Sequence, residues 1–100
     1  ALIGPDWRRV YDEALAHGKK VLGLSPGSTK ARLLVGDAQV RRGELEPAVE
    51  SYSKAYGIDK NDPMPLLKAS EAARQAGKPT TARAFAEKAT RDFPRAAAAW

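Results

Sequence analysis

The chain has no cysteine, a single histidine and no long uncharged run. Without cysteine it forms neither a disulfide framework nor a thiol site, which fits both reducing and oxidising compartments. Its apolar runs are far shorter than a membrane span, and no segment in this chain has the pattern of a targeting signal. Because the chain begins with Ala1, we expect a mature product or an excised fragment. The compartment is therefore unknown, with cytoplasm and periplasm both compatible.

The composition is typical of a folded domain. Of the 100 residues, 43% are hydrophobic and 29% are charged, which is typical of a folded chain and not of a disordered one. The length corresponds to one domain or a piece of one. The formal net charge is +5. A basic balance of this kind can serve binding to nucleic acid or anionic lipid. However, the lysines and arginines are interleaved with acidic residues, so we interpret them mainly as solvated helix surface.

The residues needed for common catalytic or metal sites are missing. His17, the only histidine, has polar neighbours and is predicted to lie on the surface. The segment DKND at 59–62 would need Gly and Glu further on to form a calcium loop, but the chain has Met64 and Ser70 there. The segment GSTK at 27–30 lacks the glycine spacing of a phosphate loop. No nucleophile motif surrounds the serines. We therefore predict no enzyme, no cofactor and no metal.

Small residues recur with a period of 34. Gly43 and Gly77 differ by this number, and an internal repeat of this length decides the fold. Gly36 and Ser70, which is also a small residue, are 34 residues apart as well. Pro26 and Pro94 are two such steps apart. The other pairs in the same register are Ala38 and Ala72, Ala48 and Ala82, Ala55 and Ala89, Ala14 and Ala48, and Val21 and Ala55.

Hydrophobic periodicity predicts four full helices within this register. The first begins at Thr29 and ends before Gly43, and the second covers residues 45–58. The third covers residues 63–76, and the fourth begins at Pro79 and ends before Pro94. We expect Ser28 and Asp62 to cap the first and third helices, and Gly43 and Gly77 to end them. The predicted inward residues are Ala31, Leu34, Val35, Ala38, Gln39, Leu45, Ala48, Val49, Tyr52, Ala55, Tyr56, Ala82, Phe85, Ala86 and Ala89.

This pattern resembles the tetratricopeptide repeat family over residues 7–100. The repeat at 29–62 has a small residue at Gly36, the turn glycine at Gly43, and Ala48, Tyr52 and Ala55 in the small–aromatic–small positions of its second helix. The repeat at 63–96 has the following residues in the equivalent positions: Ser70, Gly77, Ala82, Ala86 and Ala89, with Pro94 at the end. Residues 5–28 correspond to a second-helix half repeat, with Tyr11, Ala14, Gly18, Val21, Leu24 and Pro26 in register. Residues 97–100 correspond to the start of a further helix.

The resemblance implies an all-α fold in which antiparallel helix pairs stack as a right-handed α-solenoid, or superhelix. The chain departs from the family pattern at a few bulky positions. Arg32 and Leu66 stand where a large aromatic is common, and Ala86, next to Phe85, replaces the second-helix aromatic of the later repeat. We expect these departures to change local packing and curvature but not the class.

The resemblance also implies a protein-interaction scaffold that binds a partner peptide or protein segment in a concave groove lined by first helices. By register, the groove residues are Lys30, Leu33, Asp37, Val40, Arg41, Met64, Leu67, Glu71, Arg74 and Gln75. Some members hold a C-terminal carboxylate with lysines and asparagines. Here the positions for asparagine carry Leu34, Asp37, Lys68 and Glu71, so we do not predict that clamp.

Two alternatives stay open. Repeat units do not bury their apolar faces alone, so Trp7 and Trp100 are predicted end-face contacts for a homo-oligomer, formed by end-to-end stacking or helix exchange at high concentration. The basic surface is the basis of the other alternative, docking on nucleic acid or anionic lipid, whose affinity falls steeply with salt. Neither the partner nor the oligomeric state follows from the sequence.

Overall fold

The computed structural model describes residues 5–97, and the side chains of residues 8–95. This part of the chain contains only helices and no strand. The six helices are α1 (Pro5–Leu24), α2 (Thr29–Arg41), α3 (Leu45–Ile58), α4 (Met64–Gln75), α5 (Pro79–Asp92) and α6 (Pro94–Ala97). The predicted all-α class is confirmed.

The helices stack in chain order. Each of α1 to α6 packs mainly against the helices that precede and follow it in the sequence. This one-dimensional packing makes the molecule longer than a sphere, with extents of 41 × 31 × 21 Å and a radius of gyration of 14.2 Å. A spherical domain of this length has a radius of gyration of about 13 Å. The arrangement is that of an α-solenoid.

Two identical turns fix the helix pairs α2–α3 and α4–α5. Gly43 and Gly77 have φ angles of +80° and +76°, a left-handed conformation that glycine adopts without a Cβ clash. After Gly43, the Glu44 amide donates to the carbonyl of Gln39, and after Gly77, the Lys78 amide donates to that of Ala73. These six-to-one hydrogen bonds define the Schellman motif. The predicted helix ends at both glycines are therefore correct.

The predicted N-caps have different outcomes. Ser28 caps α2, because its hydroxyl accepts a hydrogen bond of 3.1 Å from the Ala31 amide. Asp62 was expected to cap the next helix, but Pro63 occupies the cap position of α4. Asp62 lies one residue earlier, where its carboxylate accepts from the Met64 amide at 2.9 Å. The side chain thus satisfies a free amide at the helix start without being the cap.

The core consists of small residues with a few large ones between them. Most of the predicted inward residues are buried or half-buried, and Leu66 is among the most completely buried side chains. Leu34 was expected to face inward, but it is 39% exposed. The neighbouring Val35 and Gly36 turn the buried face of α2 away from Leu34. Arg32, half-buried, donates to the carbonyl of Pro26 at 3.2 Å instead of filling an aromatic position.

One close helix contact explains a recurring small residue. A Cβ atom placed on Gly36 of α2 would lie 2.6 Å from Cε1 of Tyr52 on α3. Real Cβ contacts are longer, so the tyrosine ring lies against the bare backbone of α2. Similarly, a Cβ atom placed on Gly18 of α1 would lie 2.7 Å from Cγ2 of Val35 on α2. The small residues therefore allow neighbouring helices to approach closely.

The C-terminal part differs from the prediction in one boundary. The last helix begins at Pro94, earlier than the expected start at residue 97, because a proline in the first turn lacks only an amide that has no helical partner. The two predicted end-face contacts, Trp7 and Trp100, lie outside the residues whose side chains the structure describes.

Candidate functional site

A groove with a volume of about 400 Å³ runs between the first helices of the two helix pairs, α2 and α4. The second helix α3 forms part of its floor through Tyr52. The lining residues all lie on the three consecutive helices α2, α3 and α4. They are Asp37, Val40, Arg41, Tyr52, Lys68, Glu71, Ala72 and Gln75.

The predicted groove residues divide into two groups. Those that line this groove come from the C-terminal halves of the two first helices: Asp37, Val40, Arg41, Glu71 and Gln75. The others lie outside it. Lys30 and Met64 are exposed near the starts of α2 and α4, and Leu33 and Leu67 are half-buried against core clusters. Arg74 contacts the groove only through Glu71. Whether any of these residues binds a ligand stays a prediction.

Three side chains from three helices form a hydrogen-bonded group in the groove, which we call the groove triad: Asp37, Tyr52 and Lys68. The Tyr52 hydroxyl donates to Oδ1 of Asp37 at 2.5 Å. The Lys68 ammonium donates to the same oxygen at 3.0 Å and lies 5.7 Å from the centre of the Tyr52 ring. The triad therefore connects α2, α3 and α4 and fixes the width of the groove at this point.

The electrostatics of the groove triad keep Tyr52 protonated. Burial raises the pKa of Tyr52 above its usual value of 10.0, and the hydrogen bond to Asp37 raises this pKa further. The positive charge of Arg41 acts in the opposite direction and lowers the pKa. Arg41 is therefore close enough to the hydroxyl to influence it. At neutral pH the tyrosine is a hydrogen-bond donor, and Asp37 is its acceptor.

The wall formed by α4 carries a second paired carboxylate. The Arg74 guanidinium donates to both oxygens of Glu71, and the Gln75 amide donates to Oε1 at 3.1 Å. The hydrogen bond from Arg74, followed by that from Gln75, lowers the pKa of Glu71. Glu71 is thus an ionised group with its charge already offset.

Arg41 is the lining cation without such a partner. Within the part of the chain that the structure describes, its guanidinium forms no ion pair with an acidic side chain. It is exposed and lies in the last turn of α2, where the helix dipole favours a cation. Its hydrogen-bond donors therefore face the groove and the solvent.

A second triad of the same residue types lies outside the groove, between α3 and α5. We call it the α3–α5 triad, and it consists of Tyr56, Lys88 and Asp92. The Tyr56 hydroxyl donates to Oδ2 of Asp92 at 2.7 Å. The Lys88 ammonium forms an ion pair with the same oxygen at 3.1 Å and lies 5.5 Å from the centre of the Tyr56 ring. The hydrogen bond to Asp92 raises the pKa of Tyr56 and is the main cause that lowers the pKa of Asp92.

Sequence reasoning did not assign Tyr52, Lys68 and Ala72 to the groove. Helical spacing held a signal for one of them, because Lys68 lies three residues before Glu71, a predicted groove residue, and residues three apart share a helix face. No group of three or more His, Asp or Glu side chains in the described residues is arranged to hold a metal ion. Among the same residues, no helix combines the length and apolar character needed to cross a membrane.

Comparisons with known proteins agree with the fold described above. The sequence model of the family described as "Tetratricopeptide repeat" matches residues 8–63, which is more than half of the chain. The solved structure described as "MamA MSR-1 C2" superposes with a TM-score of 0.79 over 90% of the chain at 24% sequence identity. This similarity concerns the fold, and the chain spans about half (53%) of that structure's length. None of the curated proteins compared with the chain matches it.

Proposed function

Because the chain belongs to the tetratricopeptide repeat family, we propose that it binds an extended segment of a partner protein in the groove between α2 and α4. Protein-interaction scaffolding is the general role of this family, whose members are typically not enzymes. The finer assignment of the groove rests on one observation. Side chains of two consecutive helix pairs converge there around a concave space with a volume of about 400 Å³.

The groove has the mixture of surfaces that a peptide needs. Val40, half-buried, provides apolar contact, and Arg41 and Gln75 are exposed polar groups. The groove triad holds the walls at a fixed distance before any ligand arrives, which reduces the entropy cost of binding. Few apolar anchors and several polar groups favour recognition of one peptide orientation over general adhesion.

The absence of cysteine allows a direct test. A single thiol introduced by Gln75→Cys can be labelled with a bulky maleimide dye, which would fill the groove without changing any buried residue. We expect the labelled protein to lose binding to peptides selected by the unmodified chain from a random library. The matched control is Ala84→Cys with the same dye, because Ala84 is exposed on α5, which contributes no residue to the groove. Equal binding by both labelled proteins would contradict the groove assignment.

The position of the test residue matters. Charged substitutions of Leu33 and Leu67 would also be expected to reduce groove binding, but both side chains pack against core clusters. Loss of binding in such variants would therefore not separate a damaged groove from a damaged fold. Gln75 is exposed, so its replacement avoids this ambiguity.

Self-association is the second candidate function, and the exposed apolar residues of α1 favour it. Val10 is 60% exposed and Leu24 is 78% exposed, and both lie on the helix that precedes the first complete helix pair. A second copy of the chain that packs along α1 would cover both side chains. In light scattering, we expect the mass of the wild-type chain to rise with concentration. The double variant Val10→Lys, Leu24→Lys should keep the mass of a monomer. A monomer over the whole concentration range would contradict this candidate.

A further inference from the structure

We propose that the ligand of the groove is an extended peptide that places an aspartate or glutamate side chain against Arg41. This inference rests on the proposed function, because it names the chemistry of the partner for the same groove. The reason is the way in which the charged side chains of the groove and the adjacent Arg74 are paired.

Each carboxylate of the groove already has its own cation. Asp37 pairs with Lys68 at 3.0 Å, and Glu71 pairs with Arg74. Arg41 has no ion pair within the described residues, although it lies close enough to Tyr52 to lower the pKa of that side chain. When Arg74 is counted with the lining residues, because it pairs with Glu71 from beside the groove, the net charge is therefore that of one guanidinium, and Arg41 carries it unpaired. A planar guanidinium binds a carboxylate through two parallel hydrogen bonds.

The remaining free acceptors suit a peptide backbone. Tyr52 and Lys68 both donate to Oδ1 of Asp37, and no hydrogen bond from a described residue reaches Oδ2. Gln75 uses its amide nitrogen for Glu71, which leaves its carbonyl oxygen as an acceptor. Backbone amides of an extended peptide can donate to these two oxygens while an acidic side chain reaches Arg41. A cationic side chain at the same place would meet repulsion from Arg41.

The test uses the whole chain and a library of octapeptides with acetylated N-termini and amidated C-termini. Every carboxylate in such a library belongs to a side chain, so recognition of a free C-terminus is excluded. We expect the wild-type chain to select peptides enriched in Glu and Asp over Lys. For a selected peptide, Arg41→Gln should weaken binding several-fold and Arg41→Glu about tenfold or more, as expected for a charge-assisted hydrogen bond. Selection by Arg41→Glu should be enriched in Lys.

Arg83→Glu is the matched control, because Arg83 is an exposed arginine on α5, outside the groove. It makes the same change of net charge and should leave affinity within about twofold. The inference is wrong if Arg83→Glu weakens peptide binding as much as Arg41→Glu does. It is also wrong if the wild-type chain binds RNA and anionic vesicles as tightly as the acidic peptides, because a general attraction to polyanions then explains the binding. If the dye on Gln75→Cys blocks binding but the peptides show no acidic preference, this inference fails while the proposed function stands. If the dye does not block binding, the proposed function itself fails.

Discussion

The two tyrosines of α3 show how the same residue types serve two different places in the molecule. Tyr52 and Tyr56 are one helical turn apart, and each donates to an aspartate that also forms an ion pair with a lysine. The groove triad takes its three residues from three successive helices. The α3–α5 triad takes its aspartate and lysine from a single helix, α5, four residues apart. The groove triad therefore connects three helices, and the α3–α5 triad connects two.

The surroundings of the two tyrosines also differ. The Tyr52 ring lies against the bare backbone of Gly36, and burial is the largest cause that raises its pKa. The Tyr56 ring packs edge-on against Phe93, with ring centres 6.3 Å apart, and its hydrogen bond to Asp92 is the largest cause that raises its pKa. Because only Tyr52 is both enclosed and part of the groove, we expect changes at Tyr52 to affect stability and binding together. Changes at Tyr56 should affect stability alone.

The largest expected effect comes from closing the space that Tyr52 occupies. Gly36→Ala adds a Cβ 2.6 Å from the ring, and the ring is held by Asp37, so the helices must separate. We expect a loss of about 2 kcal/mol in the free energy of unfolding, measured by urea denaturation. The control is Gly57→Ala on α3, where a Cβ meets nothing within 4 Å. This control should gain up to about 1 kcal/mol from helix propensity. Equal stability of both variants would contradict the close contact.

The next effect compares the two hydroxyl groups directly. Tyr52→Phe removes a hydrogen bond from an enclosed site that joins α2 to α3, and should cost about 1 kcal/mol. Tyr56→Phe should cost less, because burial is the largest cause that raises the pKa of Tyr52 but only the second cause for Tyr56, so the Tyr56 hydroxyl is less desolvated. The two midpoints in urea, measured side by side, test the difference. A larger loss in Tyr56→Phe would reverse the comparison.

A pH titration sharpens the same comparison. The pKa of Tyr52 is raised in the folded state above its usual value of 10.0, so folding favours the protonated hydroxyl. This contribution is fully present below pH 10 and is lost as the pH rises toward the folded pKa. The advantage of wild type over Tyr52→Phe should therefore shrink above pH 10, by less than about 1 kcal/mol per pH unit after solvent screening. A difference in the free energy of unfolding that stays constant up to about pH 11 would show that folding does not raise the pKa of Tyr52.

The smallest effect concerns ligand binding. Asp37→Asn weakens the hold on Lys68 and adds one net positive charge to the groove, whereas Asp92→Asn makes the same change of charge outside it. We expect the first variant to bind an acidic peptide a few-fold more tightly, because the added positive charge outweighs the loss of the Oδ2 acceptor, and the second to leave affinity unchanged. Fluorescence anisotropy with a labelled peptide measures both. Equal gains in both variants would mean that net charge alone, and not the groove, decides affinity.

Local chemistry made much of the fold predictable. Gly43, Gly77 and Ser28 act through conformations and hydrogen bonds within their own turns, so their roles follow from the sequence. Leu34 was placed wrongly because the rotation of α2 depends on which neighbours approach its glycine. In the groove, Asp37 and Arg41 followed from the repeat register. The link from Asp37 to Lys68 did not, because it spans 31 residues and depends on the spacing of α2 and α4 in three dimensions.

The most direct test of the account is an NMR titration of the ¹⁵N-labelled chain with a peptide selected from the blocked octapeptide library. If the groove between α2 and α4 is the binding site, the largest shifts in amide resonances will fall on Asp37, Val40, Arg41 and Gln75, and α1 and α5 will change little. Shifts concentrated on α1 or α5, with the resonances of α2 and α4 unchanged, would contradict the central claim.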